Sequence, residues 1–310
     1  MTRWLGQRLS PGETLNHAVT GVLAAGRTPV QGWELLQLAG YGSALVLDGA
    51  IQSTERDEAC YHEALHLPAQ LARPDARRVL LIGGANGGSL PRALLLPRLE
   101  HVTIIDIDAQ LHAISRRMRA ELHGDSLNDP RVRLIFGVPD EEVLLLAERG
   151  DRFDLIIADT PDATEGSYSA RLFALERIGK LRELLVDGGL FVTQAGQAHP
   201  LACHLTARII ATLESVFTDT ALYTHNVPSF GTPWCFAIAG ADLSALHALE
   251  PGVIDRRLAA LPSGTLTAYD GETHRHMFAV PRFLRAALAQ EAATASPIRL
   301  DAPEYVVVAE

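Results

Sequence analysis

Residues 79–88, which read VLLIGGANGG, decide the fold, because four apolar residues lead directly into a glycine-rich turn. A second apolar run, Val102–Ile105, ends at Asp106, 23 residues after Gly83. Glycines let the backbone come close to a ligand, and an acidic residue at the tip of the next strand can accept both ribose hydroxyls. The pattern therefore predicts a strand, a turn and a helix around a nucleoside site.

The glycine spacing narrows the type of nucleoside. A dinucleotide-binding turn prefers GxGxxG, whereas residues 83–88 read GGxxGG, which is closer to the loop of S-adenosylmethionine-type enzymes. The alternative from spacing alone is a tight strand-to-helix turn that binds nothing.

Downstream of this turn, apolar strand-like runs alternate with helix-like segments, which predicts a doubly wound α/β sheet of Rossmann-like type. The predicted strands are Val79–Ile82, Val102–Ile105, Val132–Phe136, Leu155–Ile157, Leu190–Thr193 and Phe236–Ala239. Helical stretches are expected up to Leu99 and from Ala109 to Leu122, and alanine-rich residues 286–295 predict a surface helix.

Upstream, residues 1–58 are punctuated by glycines, and short apolar runs such as Trp33–Leu38 and Ala44–Leu47 predict small antiparallel strands. A helical pattern follows from Glu58 to Leu71 and breaks at Pro74. We expect an N-terminal β domain over 1–66 and a Rossmann-like domain with a C-terminal tail over 67–310.

Composition excludes several classes of protein. The 310 residues carry 27 basic and 37 acidic side chains, a formal net charge of −10, whereas a nucleic-acid binder needs a basic face. No apolar run approaches the roughly 20 residues of a membrane span, and the N-terminus lacks a secretory pattern, so we expect a cytoplasmic protein.

Neither a disulfide framework nor a metal site is indicated. Cys60, Cys203 and Cys235 are scattered without a CxxC pair. His62 and His66 are four residues apart, but the order is not HExxH.

Two carboxylates, Asp159 and Asp162, follow the strand Leu155–Ala158 directly. Ligands of open α/β sheets bind beyond the carboxyl ends of strands, so both side chains are candidates for the cleft. A turn in which Asp and Pro161 are favoured for local reasons remains an equal reading. A third polar segment runs from Leu47 to Glu58 and leads into Tyr61-His62-Glu63. Its spacing alone favours an ordinary hairpin followed by a capped helix start.

Taken together, these segments resemble the polyamine aminopropyltransferase family, the spermidine and thermospermine synthases, in a shared order over some 270 residues. The matching pieces are residues 9–13 (LSPGE), 47–58, 61–63 (YHE), 83–88, 106–108 (DID), 159 and 162, and near the C-terminus 269–274 (YDGETH), 277–278 and 281–282.

The resemblance implies an amine that attacks the carbon next to the sulfonium of decarboxylated S-adenosylmethionine and releases methylthioadenosine. An alkylamine has a pKa of about 10, so its proton must be removed before it is a nucleophile. Asp159 matches the proton acceptor, Asp162 the anchor of the substrate ammonium, and Tyr61 a group that aligns the nitrogen. No metal is implied.

The same resemblance assigns the remaining site residues. The donor side comprises Gln31, Gln52, His62, Gly83, Gly84, Asn86, Gly87, Asp106, Ile107, Val138, Asp140 and Gly166. The amine side comprises Tyr61, His62, Asp159, Asp162, Gln194 and Phe230. The family also suggests a homodimer or homotetramer.

Several positions depart from the family pattern. Asn86 stands where an acid usually meets the donor's amine, and Phe230 replaces a tyrosine. Val138 replaces an aspartate that receives the adenine amino group, although Asp140 lies close enough to substitute for it. His66 is displaced from the usual His-Pro pair.

Asn86 opens an alternative, because a neutral amide would not repel the carboxylate of intact S-adenosylmethionine. The donor is then either the decarboxylated or the intact form, and the latter would transfer a 3-amino-3-carboxypropyl or methyl group or cyclise. A third reading is a non-catalytic nucleoside- or polyamine-binding protein.

Overall fold

The computed structural model describes residues 2–84, 87–162 and 168–301. Within these residues the N-terminal part forms a five-stranded antiparallel sheet whose strands are neighbours in chain order. The strands are β1 (Arg3–Ser10), β2 (Glu13–Arg27), β3 (Gly32–Leu38), β4 (Gly42–Leu47) and β5 (Ala50–Thr54). Leu36, Leu38, Ala44 and Val46 are buried between the strands and adjacent elements, which confirms the predicted antiparallel β region.

Helix α1 (Glu58–Ala72) joins this sheet to the rest of the chain. It is buried along nearly its whole length from Tyr61 to Leu71, and it packs against several strands of the second sheet. The predicted domain division after residue 66 falls inside α1, whereas the first sheet ends at Thr54.

The second sheet has seven strands among the described residues, in the order β11-β12-β10-β9-β6-β7-β8. Their bounds are β6 (Arg78–Gly83), β7 (His101–Asp106), β8 (Val132–Phe136), β9 (Phe153–Asp159), β10 (Leu185–Gln197), β11 (Asp219–Asn226) and β12 (Pro233–Gly240). Each of the six predicted strands lies within one of these elements.

The expectation of parallel strands is wrong for one predicted strand, β12. β12, which contains Phe236–Ala239, runs antiparallel to both β10 and β11. β11 was not predicted, because its sequence DTALYTHN mixes polar and apolar residues, as suits an edge strand that is only partly buried.

The helices around this sheet differ from the predicted stretches mainly in length. They are α2 (Ser89–Ala93), α3 (Ala109–Met118), α4 (Ala120–His123), α5 (Pro139–Glu148), α6 (Tyr168–Leu172), α7 (Leu175–Leu184), α8 (His204–Glu214), α9 (Ser244–His247), α10 (Pro251–Leu258), α11 (Gly271–Phe278) and α12 (Arg282–Ala292), with 3-10 turns at Ser126–Asn128 and Pro228–Phe230. α2 stops before the expected Leu99 because Pro97 disfavours helix in the residue preceding it. None of the described helices is long and apolar enough to span a bilayer.

The parallel strands bring their carboxyl ends to one edge of the second sheet. β6 ends at Gly83, β7 at Asp106 and β9 at Asp159, and Gly83 pairs with Asp159 in the register of the two strands. This edge faces β5 and the β4–β5 turn of the first sheet across a cleft.

Candidate active site

The cleft between the two sheets has a volume of about 780 Å³. Residues from both sheets line it, so neither sheet forms it alone. The predicted site residues that line it are Gln31, Gln52, Tyr61, Gly83, Gly84, Asp106, Ile107, Asp159, Asp162, Gln194 and Phe230. The structure thus brings most of the predicted donor and amine residues into one cavity.

The glycine turn lies directly against the strand that carries Asp159. Gly83 and Gly84 have φ angles of +82° and +88°, which side-chain-bearing residues rarely adopt. A Cβ on Gly83 would lie 2.2 Å from the Asp159 carbonyl oxygen, and the Gly84 N–H donates to that same oxygen over 3.1 Å. Only glycine fits here, and the turn therefore offers bare backbone to the cleft.

At the end of β7, Asp106 and Asp108 have different tasks. Asp106 lines the cleft, and its Oδ1 accepts the Asp108 N–H over 2.9 Å. Asp108 is buried: its Oδ1 caps α3, while Oδ2 accepts from Thr28 Oγ1 (2.6 Å) and Gln31 Nε2 (3.1 Å). Asp108 therefore fastens the first sheet to the second and orients the amide of Gln31 at the cleft wall.

Apolar side chains from both sheets line the neighbouring part of the cleft, among them Leu47, Ile107 and Leu111. Val138 and Asp140 do not line it. Asp140 is buried and forms ion pairs with Arg171 (2.9 Å) and with Arg177. Its carboxylate is committed to these two guanidinium groups, which does not fit the expectation that it substitutes at the nucleobase.

The opposite end of the cleft contains two carboxylates next to a tyrosine. Burial raises the pKa of Asp162 to about 6, although a hydrogen bond with the Gln194 side chain opposes the shift. Burial, with the charges of Asp159 and Asp162, holds the pKa of Tyr61 well above its ordinary value. At neutral pH the tyrosine is a neutral hydroxyl beside a mostly ionised Asp162.

The Asp162 side chain also has an unmatched oxygen. Its Oδ1 is buried and has no hydrogen-bond partner within the described part of the chain. A buried carboxylate oxygen without a donor is costly, so this position favours a cationic ligand.

An aromatic wall completes this end. Phe230 lies edge-on to Tyr61 and Trp234, with ring centroids 6.0 Å and 4.9 Å apart. Gln194 is held in place, since its Oε1 accepts from Trp234 Nε1 (3.2 Å) and Gly196 N (2.8 Å), and its Nε2 donates to Thr160 O (3.3 Å). Trp234 was not predicted; its place four residues after Phe230, at the start of an apolar strand, was the available signal.

His62 was expected to contact ligand, but the structure places it behind Asp159, fully buried and outside the cleft lining. Its Nε2 lies 3.8 Å from Asp159 Oδ2, and its Nδ1 lies 2.8 Å from Glu58 Oε2. Arg92 pairs with the other Glu58 oxygen at 2.9 Å. Burial alone would raise the pKa of Glu58, but His62 and Arg92 outweigh it and lower the pKa to about 2.

Three further predicted positions need separate mention. Gly87 lies in the turn, where its N–H donates to the Gly84 carbonyl over 3.1 Å. Asn86 and Gly166 lie outside the described residues. Within residues 2–84, 87–162 and 168–301, no group of three or more His, Cys, Asp and Glu side chains is arranged to hold a metal.

Comparisons with known proteins give a consistent family. Residues 58–246 match the model of the spermine/spermidine synthase domain, and residues 3–55 match that of the spermidine synthase tetramerisation domain. A polyamine aminopropyltransferase of Synechococcus sp. is 35% identical over 295 residues, covering 93% of each chain. Polyamine aminopropyltransferase 2 of Hyperthermus butylicus is 36% identical over 288 residues, again covering 93% of each.

Two solved structures share the fold. A spermidine synthase in complex with the transition state analogue AdoDATO superimposes with a TM-score of 0.82 at 22% identity, covering 94% of this chain and 97% of that one. The spermidine synthase from Thermotoga maritima gives a TM-score of 0.81 at 22% identity, covering 94% and 96%. The likeness confirms the predicted architecture, an antiparallel β region followed by a Rossmann-like domain.

Proposed function

Because the chain belongs to the spermine/spermidine synthase family, we propose that it transfers the aminopropyl group of decarboxylated S-adenosylmethionine to an amine and releases methylthioadenosine. One observation supports this best. Asp159, the candidate proton acceptor, pairs in register with Gly83 of the glycine turn, so a base and a nucleoside site are immediate neighbours. A reaction that deprotonates an amine beside a nucleoside needs this juxtaposition.

The proton is the first obstacle of the reaction. An alkylamine with a pKa of about 10 is almost wholly protonated at neutral pH, and the ammonium has no lone pair with which to attack. Asp159, which lines the cleft, accepts that proton and frees the lone pair that forms the new C–N bond. The hydroxyl of Tyr61, neutral because its pKa is raised by burial and the two carboxylates, helps to orient the nitrogen.

Binding of the amine falls to Asp162 and the aromatic wall. The unpartnered Oδ1 of Asp162 offers an ion pair to an ammonium. Tyr61, Phe230 and Trp234 surround the same space with ring faces and edges, which suits an alkylammonium chain. The net charge of −10 draws cationic substrates toward the protein.

Donor binding falls to the glycine turn and to Asp106. Asp106 accepts the ribose hydroxyls, while Ile107, Leu47 and Leu111 contribute apolar surface for the adenine ring. The sulfonium already carries the charge that makes it a leaving group. The chain therefore accelerates the step mainly by holding the nitrogen and the carbon in line.

The N-terminal sheet gives the chain a surface for self-association. Trp4, Val22 and Leu23 are large apolar residues of β1 and β2 that are more than half exposed, and this segment matches the tetramerisation model. We propose that copies of the chain associate through this face. Sedimentation of a Trp4→Ser, Leu23→Ser variant tests it: smaller particles are expected, and an unchanged mass would contradict the assignment.

The reaction is tested by incubating the protein with decarboxylated or intact S-adenosylmethionine and a panel of diamines and polyamines. Mass spectrometry then follows methylthioadenosine, adenosylhomocysteine and alkylated amine. We expect methylthioadenosine and an aminopropylated amine in equal amounts from the decarboxylated donor. Turnover of the intact donor alone, or binding of either donor without any product, would contradict the proposal.

A further inference from the structure

Two buried side chains, Ser89 and His66, form a series of hydrogen bonds that ends at the carboxylate of Asp159, on the side away from the cleft. The Ser89 hydroxyl donates to Asp159 Oδ2 over 2.7 Å, and His66 Nε2 lies 2.9 Å from Ser89 Oγ. Ser89 and His66 are fully buried, and neither lines the cleft. Because neither side chain reaches the cleft, Asp159 is the cleft residue on which their hydrogen bonds act.

The direction of both hydrogen bonds follows from the number of hydrogens available. An ionised carboxylate only accepts, so the single hydroxyl hydrogen of Ser89 points to Asp159. His66 must then donate from Nε2. Burial, together with His62 and Arg92, holds the pKa of His66 well below its ordinary value, so the ring is neutral and carries its one N–H on that nitrogen.

This arrangement fixes one oxygen of the base. The carboxylate of Asp159 cannot turn about its Cβ–Cγ bond without losing the hydrogen bond from Ser89, and hydrogen bonds to charged groups are stronger than those between neutral ones. With Oδ2 held by Ser89, Oδ1 is the oxygen turned toward the cleft, where the Tyr61 hydroxyl also forms a hydrogen bond with the Asp159 side chain. The His66 N–H in turn prevents the Ser89 hydroxyl from rotating away.

We propose that Ser89 and His66 are positioning residues, which hold the carboxylate of Asp159 turned so that one oxygen faces the amine. The inference rests on the proposed function, in which that carboxylate takes the proton of the amine. The proton moves from the ammonium nitrogen to Asp159, and the freed lone pair then forms the new C–N bond while the C–S bond breaks and its electron pair leaves with the sulfur of methylthioadenosine. Ser89 and His66 keep their own protons throughout.

Other titratable groups lie close to Asp159, Ser89 and His66 and must be held constant in any test. His62 Nε2 lies 3.8 Å from Asp159 Oδ2, and Tyr61 and Asp162 are neighbours of Asp159 in the cleft. His62 and Arg92 are the titratable neighbours of His66. A Ser89→Ala substitution leaves all of these in place, so its effect on pH dependence reports the lost hydrogen bond.

The test compares Ser89→Ala with Thr212→Val. Thr212 carries a similarly buried hydroxyl, which donates to the Arg208 carbonyl on α8 and accepts from the Ile298 N–H, away from the cleft. For Ser89→Ala we expect kcat to fall about tenfold or more, as for loss of a hydrogen bond to a charged group, while both KM values change by less than about twofold. The acid limb of the kcat profile should move to higher pH, since the ionised carboxylate has lost a donor. Thr212→Val should keep the wild-type kcat and pH profile.

His66 offers a matched pair of variants. His66→Gln keeps an N–H within reach of Ser89, whereas His66→Leu has a similar volume and no donor. We expect Gln to retain most of kcat and Leu to reproduce the Ser89→Ala profile. Equal kcat and identical pH profiles in wild type, Ser89→Ala and His66→Leu would overturn the proposal while leaving the proposed reaction intact.

A readout that needs no turnover separates the two claims. In protein labelled with ¹³C at aspartate carboxyls, NMR follows the titration of Asp159, identified by its absence in Asp159→Asn. The midpoint should be higher in Ser89→Ala than in wild type. An unchanged midpoint overturns the inference, whether or not the protein transfers an aminopropyl group, whereas a shifted midpoint without turnover means that only the proposed reaction fails.

Discussion

The two ends of the cleft solve different physical problems. The donor end is made of a glycine turn, Asp106 and apolar side chains, and its polar groups are ready to accept from hydroxyls. The reaction end holds two carboxylates and a tyrosine, where burial raises the pKa of Asp162 to about 6. On the proposed function, one end binds the nucleoside, and the other binds the ammonium group and takes up its proton.

The difference extends to what supports each end. Behind the donor end, Asp108 ties Thr28 and Gln31 of the N-terminal segment to α3. Behind the reaction end, Ser89 and His62 approach Asp159 from the second domain and from α1. Damage at one end should therefore alter donor affinity, and damage at the other should alter the chemical step.

Asp159→Asn should produce the largest effect, because it removes the proton acceptor and keeps the shape of the side chain. General-base catalysis contributes about 10²- to 10⁴-fold, so kcat should fall by that order. The affinity for methylthioadenosine, measured by calorimetry, should stay within about twofold of wild type. If kcat were unaffected, Asp159 would not be the base.

Asp162→Asn should act on the amine. The amide cannot form an ion pair with the ammonium, so the amine KM should rise by about tenfold or more, with a smaller change in kcat. The pH dependence sharpens the assignment: above its pKa of about 6 Asp162 is ionised and binds the cation, and below it the carboxyl is neutral. In wild type the amine KM should rise as the pH falls through about 6, and this rise should vanish in Asp162→Asn. A rise of the same size in both proteins would show that another group is titrating.

Asp106→Asn tests the donor end. Replacing the carboxylate that accepts ribose hydroxyls should weaken nucleoside binding by about tenfold, the value of one charge-assisted hydrogen bond. The kcat at saturating donor should remain near wild type. A variant with normal nucleoside affinity and a reduced kcat would erase the distinction between the two ends.

Thr28→Val should give the smallest effect, since it removes a hydroxyl that reaches the ligand only through Asp108 and Gln31. The hydroxyl donates to Asp108 and also accepts from the Val30 and Gln31 N–H groups, so its removal loosens the turn that holds Gln31. We expect the donor KM to rise a few-fold and the amine KM to stay unchanged. Steady-state kinetics with each substrate varied in turn would measure both. A change confined to the amine KM would contradict the placement of this contact at the donor end.

The same comparison explains what the sequence predicts. The glycine turn and the acid of the donor end lie close together in the chain, from Gly83 to Asp106, so strand, turn and acid are visible in the spacing alone. The reaction end combines Tyr61, Asp159 and Trp234, which only the folded sheet brings together. Spacing left Asp159 and Asp162 equally open as turn residues, and it was the family resemblance that placed them at the amine.

Some tertiary contacts could not be predicted from the sequence, because they depend on how distant elements pack. The contact between His66 and Ser89 depends on how a buried helix crosses the start of α2, which no local pattern encodes. The ion pairs of Asp140 with Arg171 and Arg177 depend in the same way on the packing of α5 against α6 and α7. In the second sheet, apolar runs predicted six strands. They did not predict that β12 runs antiparallel to β10, because a buried apolar run has the same pattern in a parallel and in an antiparallel strand.

A crystal structure with methylthioadenosine and a polyamine bound together would test the whole arrangement most directly. We expect the ribose hydroxyls on Asp106, the sugar over Gly83 and Gly84, and one amine nitrogen within about 3.2 Å of an Asp159 carboxyl oxygen, the reach of a general base. An amine nitrogen bound away from Asp159, or a nucleoside outside the glycine turn, would contradict the account.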